Sequence, residues 1–188
     1  MLEIEISPID GGAVSDTASE SVKAYINAVG GVARRERKAG MALLSRLLEK
    51  AGVSRFELAT EPEGKPFLPD LPYFFSVSHS GGYCAAVLSD TSVGVDLQSM
   101  EEVGRIKDPV AFAERFFEAC ELEEFLKCPT AEELCRIWTR KEALSKLLGR
   151  PLCRSLSTLS SVEYPCVDFN TQSLDLGGRF YLTVAKKQ

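Results

Sequence analysis

The chain has 188 residues, 27 acidic and 22 basic side chains, a formal net charge of −5, and 45% hydrophobic against 26% charged residues. These proportions sit at the globular average and exclude disordered and fibrous classes. The acidic balance argues against nucleic-acid binding, which needs a basic face, and no apolar run approaches the ~20 residues that cross a bilayer. The acidic, alternating start lacks the basic region of a secretory signal, so the reading is a cytoplasmic protein with no membrane partner. Six cysteines contain no C-x-x-C pair and read as reduced. The single histidine, His79, rules out a His-rich zinc site, leaving a hard cation on oxygen ligands as the metal chemistry open to the chain. Arg34, Arg35, Arg37 and Lys38 form a local basic exception.

Taken in order, Leu2, Ile4 and Ile6 alternate with Glu3 and Glu5, predicting a half-buried strand. A short helix is predicted over 19–29 and a stronger one over 34–50, where Met41, Leu44, Leu47 and Leu48 recur at helical spacing and Gly52 is a stop. A short strand near 56–59 precedes residues 61–72, whose four prolines and Gly64 predict an extended loop. Residues 73–78, 83–88 and 92–98 are β-rich runs separated by Ser80-Gly81-Gly82 and Ser89-Asp90-Thr91, predicting a three-stranded antiparallel meander. Residues 99–109 read as a charged linker dividing the chain into an N-terminal sub-domain, 1–100, and a C-terminal one, 101–188.

Beyond the linker a helix over 110–127 breaks near Pro129, and a second over 131–148 stops at Gly149 and Pro151. Strand-like pieces follow near 156–162, 166–170 and 179–185. Each half thus reads helix first, then strands. The fold class is α+β, two packed sub-domains sharing a cleft.

Three stretches carry candidate chemistry. In Val93-Gly94-Val95-Asp96-Leu97-Gln98, period-2 alternation puts Gly94, Asp96 and Gln98 on one face. That face reads either as a solvent-facing polar edge or as two oxygen ligands for a Mg²⁺ that keeps waters and takes phosphate oxygens. In the 138–146 helix, Trp138, Glu142 and Lys146 share a stripe. The pair Glu142–Lys146 is then an ordinary exposed ion pair, or a base or metal ligand beside a cation that meets a phosphate. In Phe75-Ser76-Val77-Ser78-His79-Ser80-Gly81-Gly82, a strand runs into a Gly-rich turn whose N–H groups can face an anion. Adjacent strand residues point to opposite faces, so Ser78 and His79 are poorly placed as nucleophile and base. Lys65, in Gly64-Lys65-Pro66, is a cation in a stiff loop that can pair with a phosphate.

The order Gly64-Lys65-Pro66, Phe75-Ser76-Val77-Ser78-His79-Ser80-Gly81, Gly94-Val95-Asp96-Leu97, then Trp138-Thr139-Arg140-Lys141-Glu142-Ala143-x-x-Lys146 resembles the 4′-phosphopantetheinyl transferases of the monomeric Sfp type, in the branch with a W…KEA signature, over residues 37–152. The resemblance implies a pseudo-dimer of two α+β halves, each a helix on a small antiparallel sheet, with coenzyme A between them. The implied reaction moves 4′-phosphopantetheine from coenzyme A to a serine of an apo acyl or peptidyl carrier protein and releases adenosine 3′,5′-bisphosphate. Asp96 and Glu142 would then hold Mg²⁺, Glu142 would help take the serine proton, and Lys146 would meet the departing phosphate. Arg37, Lys65, Ser78 and His79 would bind the nucleotide. Gln98 stands where the family usually has a glutamate, so its place as a third ligand costs one negative charge. Pro151 stands where the family tends to have glycine. Glu121, after Phe116-Phe117, matches a family glutamate whose role stays open. A non-catalytic relative that binds coenzyme A or a carrier protein is the alternative reading.

Overall fold

In the computed structural model, which describes residues 1–11, 19–150, 159–162 and 164–188, the alternating N-terminal segment is a strand, β1 (Leu2–Pro8). Two helices follow: α1 (Glu20–Asn27), capped by Ser19, and α2 (Gly31–Lys50), which starts three residues earlier than its apolar spacing predicts. The strand expected near 56–59 is reduced to β2 (Ala59–Thr60), which pairs with β3 (Pro66–Phe67), a two-residue strand in the proline-rich stretch. Strands β4 (Phe74–Ser80) and β5 (Tyr83–Ser89) then form the expected hairpin. Its two turn residues, Gly81 and Gly82, both have positive φ, 55° and 81°, the geometry that makes glycine the natural choice there.

The third run does not complete a meander. It forms β6 (Val93–Ser99), hydrogen-bonded to a strand near the C-terminus, while the first sheet has the order β1-β5-β4. Strand β5 is central and both its edges are filled, by β4 on one side and by antiparallel β1, with Leu2 opposite Ser89, on the other. The non-local partner thus takes the edge that the short turn at 89–91 offers to β6. Helix α2 covers this sheet with Met41, Leu43, Leu44, Leu47 and Leu48, each no more than 2% exposed.

Two compact units result, Met1–Val93 and Gly94–Gln188. In the second, the charged linker contains a short helix, α3 (Met100–Val103), capped by Ser99. The expected 110–127 helix is two: α4 (Pro109–Phe116), started by Asp108, and α5 (Ala119–Lys127). The break needs no proline or glycine. Phe117 is extended, with φ −92° and ψ 146°, and Glu118 caps α5 in a reciprocal box with Glu121. Helix α6 (Ala131–Leu147) is capped by Thr130. Strands β7 (Val167–Asp175) and β8 (Arg179–Lys187) are an antiparallel pair in a sheet of order β6-β8-β7. The strand expected at 156–162 and the glycine-to-proline departure at Pro151 fall wholly or mostly outside the described residues, and 159–162 are not a strand.

Candidate active site

Strand β6 is buried on both faces, with Val93, Val95 and Leu97 at 0–1% exposure and Asp96 at 4%. The solvent-edge reading of Asp96 is therefore excluded. Gly94 explains how a helix comes so close: a Cβ there would lie 2.1 Å from the Ala143 carbonyl oxygen and 2.5 Å from the Leu147 nitrogen. The bare strand lets the last turns of α6 rest on β6, and Asp96, two residues on, meets the stripe of α6 that carries Glu142 and Lys146. The first member of that stripe, Trp138, sits edge-on against Phe112, with centroids 4.9 Å apart, and against Phe116 at 5.7 Å.

Lys146 Nζ donates to Asp96 Oδ1 at 2.7 Å. Glu142 is 8% exposed, and burial first, then the charge on Asp96, pushes its carboxyl up to about 8, against the pull of Lys146. Two buried carboxyls beside one ammonium are a site that prefers to gain positive charge. Asp96 and Glu142 offer only carboxylate oxygens, and among the described residues no set of three His, Cys, Asp or Glu side chains is placed to hold a metal ion. Such a donor set suits Mg²⁺, which demands few protein oxygens and keeps waters and phosphate oxygens, and does not suit zinc. Gln98 is half-buried, and its Nε2 donates to Glu102 Oε2 on α3 at 3.3 Å.

Replacing Lys146 by Ala leaves both carboxyls without that ammonium and pushes Glu142 further up, since Lys146 is what lowers it. Its expected cost is about 2 kcal/mol at pH 7 to 8. Raised carboxyl affinity in the fold means stability is intact below pH ~4.5 and is lost as pH rises toward 8 and beyond. Thermal midpoints of the two proteins at pH 7, 8 and 9.5 check this: the gap is expected to be ~4–8 °C at pH 7 and to widen only above pH ~8, where Glu142 ionises in wild type but not yet in the variant.

The remaining expected residues lie in the first unit. On β4, Ser78 is buried at 3% exposure while the neighbouring His79 is exposed, with Nδ1 3.3 Å from Glu36 Oε1, so the two do face apart. Arg37 lies with its guanidinium 4.3 Å over the Tyr25 ring and donates from Nη1 to the Tyr25 carbonyl oxygen at 2.7 Å. Lys65 is half-buried at the end of a tight turn whose Glu61 N–H bonds back to the Lys65 carbonyl at 2.8 Å. Arg34, Arg35 and Lys38 are exposed on the first turns of α2. Two residues assigned no role from sequence, Lys141 and its partner Glu121, turn out to be completely buried. Helical periodicity holds the signal for the first: Lys141 continues the buried stripe Leu134–Ile137, where an unpaired charge cannot sit.

Residues 92–185 match the family model of the 4′-phosphopantetheinyl transferase superfamily. The chain is 33% identical over 134 residues to the 4′-phosphopantetheinyl transferase psf-1 of Bacillus pumilus, a match covering 62% of this chain and 55% of that protein. It is 36% identical over 119 residues to the 4′-phosphopantetheinyl transferase AcpT of Escherichia coli K12, covering 62% and 59%. With the 4′-phosphopantetheinyl transferase Sfp of Bacillus subtilis the identity is 27% over 130 residues, covering 63% and 56%. The chain thus spans between half and two thirds of the length of these relatives.

Proposed function

Because the chain belongs to the 4′-phosphopantetheinyl transferase superfamily, we propose that it transfers the 4′-phosphopantetheine arm of coenzyme A to a serine hydroxyl of an apo acyl or peptidyl carrier protein. The observation that carries this reading is the buried Asp96–Glu142–Lys146 constellation, which lies inside the matched stretch. The serine oxygen attacks the phosphorus that bears the pantetheine arm, the bridging P–O bond breaks, and adenosine 3′,5′-bisphosphate leaves with the bond electrons. Ionised Glu142, directly or through a water, takes the serine proton, and an acid that titrates near 8 is well matched to that step. Lys146, already fixed on Asp96, neutralises the leaving phosphate without reorganisation. Asp96 and Glu142 would hold Mg²⁺, which supplies charge to the pyrophosphate oxygens.

At the nucleotide end we assign Arg37, Lys65, Ser78 and His79. Exposed His79 and half-buried Lys65 and Arg37 are the accessible members, while Ser78 is buried. Gln98 enters the metal shell as a neutral oxygen at most. Coenzyme A is the co-substrate, and the protein acts as a cytoplasmic monomer; among the described residues no helix is long and apolar enough to cross a membrane.

Intact-mass measurement of an apo carrier protein incubated with this chain, coenzyme A and Mg²⁺ tests the proposal. A gain of one phosphopantetheine arm, absent from a carrier whose acceptor serine is alanine, is the expected result. Coenzyme A binding without a gain on any carrier would favour the second reading, a non-catalytic relative, to which the loss of charge at Gln98 lends support. Neither binding nor gain would overturn both.

A further inference from the structure

We propose that the buried Glu121–Lys141 pair, with Leu159 and Ser161, is a positioning device that fixes the rotation and height of α6, so that Glu142 and Lys146 meet Asp96. The inference rests on the second unit's constellation being the reacting site. Both side chains are 0% exposed. Lys141 Nζ donates to Glu121 Oε2 and to the Leu159 carbonyl oxygen. Glu121 Oε1 accepts from the Ser161 N–H and from Ser161 Oγ, both at 2.7 Å, while Oε2 also accepts from the Glu118 N–H at 2.9 Å. Arg140, one residue earlier, donates from Nη2 to the Ser161 carbonyl oxygen at 3.0 Å. Residues 159 and 161 are themselves buried, at 3% and 1% exposure.

A buried ion pair is a poor way to gain stability. Desolvation of two charges offsets most of their attraction, and apolar side chains of the same volume often hold two helices as well or better. What the pair does supply is direction. The Glu121 carboxylate accepts from three donors set by α5 and by residue 161, and it presents one oxygen at a fixed point to Lys141. Lys141 precedes Glu142 by one position, about 100° round the helix. A slip of α6 by one residue would turn Glu142 away by that same angle and break Lys146 from Asp96. Apolar contacts tolerate such a slip; the directional bonds from Lys141 to Glu121 and Leu159, and from Arg140 to Ser161, do not. The pair therefore acts through Glu142 and Lys146 and touches no substrate.

The charge-free variant Glu121→Gln/Lys141→Met keeps an amide oxygen for Ser161 and removes both ions. Thermal midpoints are measured for four proteins: wild type, Lys146→Ala, the charge-free variant, and the combination. The drop caused by Lys146→Ala is expected to shrink to less than half in the charge-free background, because α6 no longer holds Lys146 on Asp96. In the transfer assay the charge-free variant is expected to lose at least ten-fold in kcat and to raise the KM for coenzyme A, with the KM for the carrier within two-fold of wild type. A Lys146→Ala drop of undiminished size, or an unchanged kcat, overturns the inference. Should the charge-free variant not fold, Ser161→Ala, which deletes one bond to Glu121, takes its place: the Lys146→Ala drop is again expected to shrink to less than half, and kcat to fall two-fold or more. A wild type that transfers nothing sinks the transferase reading, while the thermal cycle still decides the positioning role.

Discussion

Glu142→Gln is expected to abolish arm transfer and, at the same time, to make the protein more stable. The catalytic loss follows from the chemistry of the carboxylate. An amide takes no proton from the serine and offers a cation no charge, so kcat falls ~10²–10⁴-fold. The stability gain follows from burial. Glu142 is 8% exposed beside Asp96, and its carboxyl is pushed up to about 8 chiefly by desolvation. In the unfolded chain it ionises near pH 4.5, while in the fold it keeps its proton until pH rises through about 8. The neutral form therefore contributes stability that is fully present below pH ~4.5 and is lost as pH rises between those two values. Gln keeps the shape and never ionises. The variant's advantage in thermal midpoint is thus expected to be near zero at pH 4 and to grow up to pH 8 or 9, reaching roughly 4 kcal/mol, or ~8–16 °C. Thermal melts at pH 4, 6 and 8 read it directly. A variant less stable than wild type at pH 8 would mean that Glu142 is paired in the fold and does not strain it.

Gly94→Ala is the second large effect, and here activity and stability fall together. A methyl at position 94 meets backbone, the Ala143 carbonyl oxygen at 2.1 Å and the Leu147 nitrogen at 2.5 Å, so strand and helix must part. The expected loss is about 3 kcal/mol, the upper end for overpacking, because neither wall is a side chain that can rotate away. That corresponds to a fall of ~6–12 °C in thermal midpoint. Parting β6 from α6 also withdraws Asp96 from Lys146, so kcat is expected to fall at least ten-fold in whatever protein remains folded. Gly40→Ala is the control. Its methyl would lie 2.6 Å from Val77 Cγ1, a side-chain atom, so a smaller loss is expected. Equal losses at the two glycines would contradict the role given to Gly94.

Both predictions rest on residues whose types and spacing were readable in the chain. The alternation in Val93–Gln98 placed Gly94, Asp96 and Gln98 on one face, and helical spacing aligned Trp138, Glu142 and Lys146. What alternation could not give is burial. A strand buried on both faces, one of them under α6, looks in sequence like an edge with a polar side, because Asp96 is the exception that the site requires. Non-local pairing was equally hidden: β1 pairs with β5 across at least 75 positions of sequence, from Pro8 to Tyr83, yet fills the edge that a local turn reserves for β6. The α4–α5 break was hidden for another reason. Glutamate is an uncommon N-cap, and the reciprocal Glu118–Glu121 box that starts α5 carries none of the usual Ser, Thr, Asp or Asn signature. Arg37 illustrates the limit for surface residues. Its place in the basic cluster is plain, but its docking on Tyr25 depends on how α1 and α2 cross.

The proposal turns on Asp96 and Glu142, which would hold a divalent cation that strengthens the binding of coenzyme A. Calorimetric titration of coenzyme A into wild type and Glu142→Gln, each with and without Mg²⁺, tests it most directly. Wild type is expected to bind coenzyme A at least ten-fold more tightly when Mg²⁺ is present, and Glu142→Gln is expected to keep the Mg²⁺-free affinity while losing that gain. An affinity in wild type indifferent to Mg²⁺, or a Mg²⁺ gain that survives in Glu142→Gln, would contradict the claim.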